Sequence, residues 1–182
     1  MRFRFDTILT EEGYLDFNVF HNFDSPAGKK NIRRVRLIFI SVVLLLCIAV
    51  SLVNRDDPLF ATVYCVFLLS FCLFYTLSLR KFFISNLKRQ IKRLEKQGKL
   101  PFGEKSTIEF YEESVVDRSA SQRLEVRYDA MEKVLIVNNE YIYLHINVAT
   151  AIILPIAQIR SQADIGAFLA FLKEKCQNIT YL

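Results

Sequence analysis

Two stretches of this chain contain no charged residue, and the hydrophobic period changes on either side of them. Leu37 to Val53 reads LIFISVVLLLCIAVSLV, and Pro58 to Leu79 reads PLFATVYCVFLLSFCLFYTLSL. As helices they cover roughly 26 and 33 Å at 1.5 Å per residue, against a hydrocarbon core of about 30 Å. The pattern predicts two membrane spans, at about 35–53 and 58–79. Val35 and a snorkelling Arg36 extend the first. Only Asn54, Arg55, Asp56 and Asp57 join the runs, a connection short enough to force a helical hairpin. Pro58 suits the first helical position, where its missing N–H costs nothing.

After the second run the period stays helical. Ile84, Leu87, Ile91 and Leu94 form one stripe over residues 80–99, with basic side chains on the other faces. Gly98 and Pro101 stop the helix. From residue 100 the period falls to two. Thr107–Glu112, Val115–Val116 and Arg123–Asp129 read as strands, with a turn at Glu112–Glu113. Val134–Val137 and Tyr141–Ile146 flank Asn138 and Asn139, which tolerate the positive φ of a tight hairpin. Ala149–Leu154 is a further strand, ended by Pro155. Ser161 with Asp164 then opens a helix whose stripe is Ile165, Phe168, Leu169 and Leu172. The expectation is about six antiparallel strands closed by one C-terminal helix. At the other end Phe3 and Phe5 alternate with Arg2, Arg4 and Asp6, and Thr10 caps a short helix opened by Glu11 and Glu12. Residues 2–9 are expected to supply an edge strand to the C-terminal sheet. The chain thus divides into 1–28 (strand and short amphipathic helix), the hairpin 35–79, the basic helix 80–99 and the domain 100–182.

Charge gives the hairpin a direction. Residues 1–28 carry −3, residues 29–99 carry +11 and residues 100–182 carry −3. Five Lys or Arg precede the first span (Lys29, Lys30, Arg33, Arg34 and Arg36), eight follow the second, and only Arg55 lies between. By the positive-inside rule both termini are cytoplasmic, in a plasma membrane. The late start of the first apolar run argues against a secretory signal peptide, and no lipidation motif is present. Lys81, Lys88, Arg89, Lys92, Arg93 and Lys96 are candidates for contact with anionic lipid at the membrane surface, provided the helix lies there on its apolar stripe. A partner helix, from another protein or a second copy, is the competing use of that stripe. The proximity of the bilayer argues against nucleic acid as the partner of the basic run.

Catalytic chemistry finds no pattern. His21 and His145 pair with no nucleophile, and the four cysteines form no CxxC. Five glycines make no phosphate loop, and neither HExxH nor GxSxG occurs. The spans hold no Asp, Glu, Lys, Arg or His, so they read as an anchor rather than an ion path. No catalytic, cofactor or metal site is expected. Tyr141, Tyr143 and His145 share one face of a strand and are a candidate interaction surface, with the tyrosines equally suited to covering a core edge.

Four segments carry a family resemblance: FDTILTEEGYLDF at the N-terminus, then IEFYEESV, VRYDAMEKV and YIYLHINVATAIILPIAQI in order after the hairpin. In these the chain resembles the YcxB-like bacterial membrane proteins, over almost its whole length. Gly13 departs from the pattern, which tends to have Asp there. The resemblance implies a cytoplasmic domain similar to bacterial pleckstrin-homology-like (PH-like) modules, a strongly bent antiparallel sheet with a C-terminal helix, and it implies no enzymatic activity. The expected fold is therefore a membrane α-helical hairpin plus an α+β cytoplasmic domain. The expected function is non-enzymatic binding of a partner, a ligand or the bilayer surface. The alternative is an accessory or regulatory subunit of a transporter or cell-envelope complex.

Overall fold

The computed structural model describes residues 1–120, 122–147 and 150–182. The chain forms two compact units, Met1–Tyr14 with Leu100–Leu182, and Leu15–Lys99. The expected N-terminal segment 1–28 is therefore divided. Its first fourteen residues belong with the C-terminal domain and the remainder with the helices.

The first unit holds two four-stranded sheets. Strand β1 (Phe3–Ile8) pairs antiparallel with β2 (Lys105–Phe110), with Ile8 opposite Lys105 and Phe3 opposite Phe110. β3 (Ser114–Arg118) and β4 (Arg123–Arg127) complete the order β1-β2-β3-β4. N-terminal residues thus supply the edge strand that their alternation predicts. The second sheet contains β5 (Lys133–Val137), β6 (Tyr141–His145), β7 (Ala151–Pro155) and β8 (Ile179–Tyr181), in the order β7-β6-β5-β8. The start of β7 expected at Ala149 lies outside the described residues. Asn138 and Asn139 carry φ of 50° and 54°, as the tight β5–β6 turn requires.

Several expectations need correction. One bent sheet of about six strands becomes two sheets. β8 follows the last helix and runs parallel to β5, held by Leu182 N–H donating to Ile136 O at 2.9 Å. There are two C-terminal helices, α4 (Ile156–Arg160) and α5 (Ile165–Lys175), because Ile156 and Ile159 are both buried. Asp164 caps α5, accepting from Gly166 N–H at 2.8 Å, whereas Ser161 closes α4 and donates to Gln158 O. The stripe on α5 fills the core as its spacing predicts. The Phe168 ring centroid lies 4.8 Å from that of Phe5 and 4.9 Å from that of Phe110.

Helix α1 (Glu11–Val19) starts where Thr10 Oγ1 accepts from Gly13 N–H at 3.1 Å, and one π-turn (Phe20–Asp24) follows it. In the second unit, α2 (Pro26–Val53) and α3 (Pro58–Lys96) form the hairpin. Both begin with Pro at N1, after Ser25 and Asp57 caps that accept from Gly28 and Phe60 N–H at 3.0 Å. Both are long and apolar enough to cross a membrane, and only 6% and 11% of their apolar windows are covered by protein. Val43, Ala61 and Cys72 are buried within the two uncharged runs. α3 contains the predicted second span and basic helix as one unbroken element. Gly98, with φ of 65°, ends it as Lys99 N–H folds back on Leu94 O at 3.0 Å.

Candidate functional site

The six predicted lipid-contact residues, Lys81, Lys88, Arg89, Lys92, Arg93 and Lys96, all lie exposed on α3. Their helix does not present the apolar stripe expected of a surface-lying segment. Leu87 is 8% exposed and Ile91 4%, so protein covers the stripe. α3 also has no internal Gly or Pro to turn it into the membrane plane. Measured from Leu79, Lys88 sits about 14 Å further along the axis and Lys96 about 26 Å. Exposed charges are screened within about 8 Å at physiological salt. The headgroup layer adds about 5–7 Å beyond the hydrocarbon, so Lys81, Lys88 and Arg89 lie within that distance of its charge, and Lys92, Arg93 and Lys96 stand further out. Arg80, which was not among the candidates, is ion-paired to Asp24 at 3.0 Å and ties the π-turn to α3.

Tyr141, Tyr143 and His145 do share one face of β6, with the tyrosine rings stacked at 5.9 Å. That face is not an open recognition surface, since Tyr143 is 1% exposed and His145 2%. Only Tyr141 is half-buried. Its hydroxyl lies 3.1 Å from where a Cβ on Gly13 would stand. Gly13 thus sits where Tyr141 closely approaches the start of α1.

Polar chemistry is instead concentrated on the first sheet. On its inner face, Phe3, Phe110, Val115 and Val126 form one cross-strand row. The next row is Phe5, Ile108, Asp117 and Leu124, and beyond it Thr7 stands opposite Ser106. The core face therefore turns from apolar to polar toward one end of the sheet. A cavity of about 390 Å³ opens there, lined by Thr7, Ser106, Asp117 and Gln122 together with Ile108 and Ile152. Ser106 Oγ donates to Asp117 Oδ1. Burial pushes the Asp117 carboxyl above the usual carboxylate range, against the opposing pull of that hydroxyl.

The outer face carries a second cluster. Glu109 is buried between Arg4 at 3.7 Å and Arg118 at 3.6 Å, and Tyr111 Oη donates to it at 2.9 Å. Glu112, in the turn after β2, is held by Arg2 and by Lys175 at 3.1 Å. The hydrogen bond from Arg2, then that from Lys175, draws its carboxyl below the usual range. Both glutamates are thus engaged in holding strands and helix together. Among the described residues, no group of three His, Cys, Asp or Glu could hold a metal ion.

Asp117 escaped the pattern reading because the strand was recognised only at Val115 and Val116. Extending the alternation by one residue puts a carboxylate on the same face as Val115, and that was the available signal. Comparison with protein families, with curated proteins and with solved structures finds no match to this chain.

Proposed function

We propose that this chain is a two-span protein of a bacterial plasma membrane that carries a non-enzymatic, PH-like binding module on the cytoplasmic side, as its YcxB-like resemblance implies. The observation that carries the reading is the register of β1 on β2. Ile8 stands opposite Lys105, so the whole hairpin is an insertion between two adjacent strands of one sheet. A folded sheet cannot be divided by a bilayer, and such an insertion must leave and re-enter on the same side. Two spans meet that requirement, and the Lys and Arg bias supports the cytoplasm as the side. The large uncovered apolar area of α2 and α3 also supports lipid as their surroundings, because the core helices of a soluble protein are mostly covered.

The covered stripe of α3 favours a macromolecular partner over the bilayer as the target of Lys88, Arg89, Lys92 and Arg93. Replacing all four by Gln should lower recovery of the partner after mild cross-linking in cells, while membrane extraction stays unchanged. Recovery of the chain alone, with anionic lipid enriched and lost in the variant, would overturn the partner reading in favour of surface binding.

A second reading has the spans themselves as the interface of a transporter or envelope complex. It is favoured by a groove of about 430 Å³ between α2 and α3, lined by Phe71, Phe74, Tyr75, Phe82 and Phe83. Under that reading the complex survives the four-Gln variant and is lost on filling the groove.

A further inference from the structure

The cavity at the polar end of the first sheet has an unusual charge balance. Among the described residues its charged lining is Glu104 and Asp117, with neither Lys nor Arg. Asp117 projects from the core face of β3, level with Ile108 on one side and Leu124 on the other. Its hydrogen-bond partner is the neutral Ser106 hydroxyl, and no cation among the described residues acts on its ionisation. A half-buried carboxylate among neutral side chains loses water and gains no counter-charge, an arrangement that costs stability. One wall of the cavity is apolar, formed by Ile108, Ile152 and Phe102. A carboxylate beside an apolar wall suits one chemistry, a positive head with hydrogens to donate and a short apolar body.

From this we infer that the cavity binds a small alkylammonium ligand, with its ammonium on Asp117 and its carbon chain against Ile108 and Ile152. Asp117 Oδ2 accepts from the ammonium while Ser106 continues to hold Oδ1. Carboxylate ligands are disfavoured by like charge, and a guanidinium would have to displace Ser106 from Oδ1 to make its bidentate pair. The inference goes beyond the proposed membrane role and does not depend on it, since every wall residue belongs to the sheet domain.

The test uses the full-length chain in zwitterionic lipid nanodiscs with isoleucine δ1-methyl labelling. The Ile108 and Ile152 methyl signals are followed during titration with n-hexylammonium, 1-hexanol and hexanoate. Saturable shifts at both methyls are expected with n-hexylammonium, at an apparent Kd about tenfold or more below that of hexanol, the value of one charge-assisted hydrogen bond. Hexanoate should be weaker than either. Asp117→Asn should bring the amine to the level of the alcohol while the signal of the core residue Ile142 is unmoved. Equal affinity for amine and alcohol in the unaltered protein overturns the proposal without recourse to any variant. So does a variant that keeps the preference, or the absence of saturable shifts. Competition by Nα-acetyl-lysinamide distinguishes sources of the same chemistry. Displacement more effective than that by free hexylammonium would assign the cavity to a protein lysine, and weaker displacement to a free amine.

Discussion

At the scale of single residues, two positions carry sharp expectations. Gly28 lies in the first turn of α2, where a Cβ would stand 2.5 Å from His21 O and 2.7 Å from the Asn22 carbonyl carbon. Both are backbone atoms of the preceding π-turn and cannot swing away. Gly28→Ala is expected to destabilise the entry to the hairpin by about 1–3 kcal/mol, the usual cost of overpacking, read as a lower melting temperature. Asp117 should behave in the opposite way. Burial raises its pKa in the folded chain, so the folded state holds the proton more tightly than the unfolded one. Ionisation then opposes folding above the folded pKa, and the penalty is absent below the unfolded value. Asp117→Asn should raise the melting temperature at pH 7, with the gain shrinking as the pH falls toward 4. Asp6 and Glu112 act in the other sense. Lys105 and Thr107 lower the pKa of Asp6, and Arg2 and Lys175 that of Glu112, so both stabilise above the unfolded value and lose that effect as the pH falls through the folded one. Since these two are common to both proteins, the difference between the melting curves isolates Asp117. A variant less stable at pH 7 would show that the carboxylate is a structural anchor.

At the scale of elements, β1 is the exposed edge of its sheet and is closed by side chains. Gln162 Oε1 accepts from Asp6 N–H and its Nε2 donates to Asp6 O, both at 2.8 Å. Gln158 makes the same pair of bonds to Ile8, both at 2.9 Å. Two amide side chains at and just after α4 thus stand in for a neighbouring strand, which blunts an edge otherwise open to pairing with another chain. Replacing both glutamines by Ala should cost roughly 1–3 kcal/mol and accelerate hydrogen exchange at the Asp6 and Ile8 amides. Unchanged exchange at those two positions would contradict the account. Phe5, fully buried against Phe110 and Phe168, should cost about 3–5 kcal/mol on truncation to Ala, a loss that shows β1 to be part of the domain core. Legibility in the sequence followed the range of the interaction. The Thr10 cap, the Asn138–Asn139 turn, the two long apolar helices and the alternation of β1 are local, and each is legible. The three-residue β8, its parallel partner and the glutamine clamp across 150 residues depend on distant chain and leave no periodic mark. Tyr143 and His145 were rightly assigned to one strand face. Alternation separates the two faces of a strand, but tertiary packing decides which face is covered.

At the scale of the whole molecule, the order of elements says more than any motif. A strand, two long apolar helices and the strand that pairs with the first form one continuous path, so the domain is discontinuous in sequence and the hairpin is inserted within it. The four-residue connection Asn54–Asp57 and the 39-residue α3 follow from the same layout, since one end of the hairpin turns tightly and the other must rejoin the sheet. The central claim is that lipid surrounds the hairpin, with its tight loop on one side and the entire sheet domain on the other. Single-cysteine labelling in intact cells tests this most directly, in a background where Cys47, Cys65, Cys72 and Cys176 are replaced by Ser. The account predicts that Asp56→Cys reacts with a membrane-impermeant maleimide in intact cells, while Glu125→Cys on β4 reacts only after the membrane is opened. Labelling of Glu125→Cys from outside, or equal protection of both positions until the membrane is opened, would contradict it.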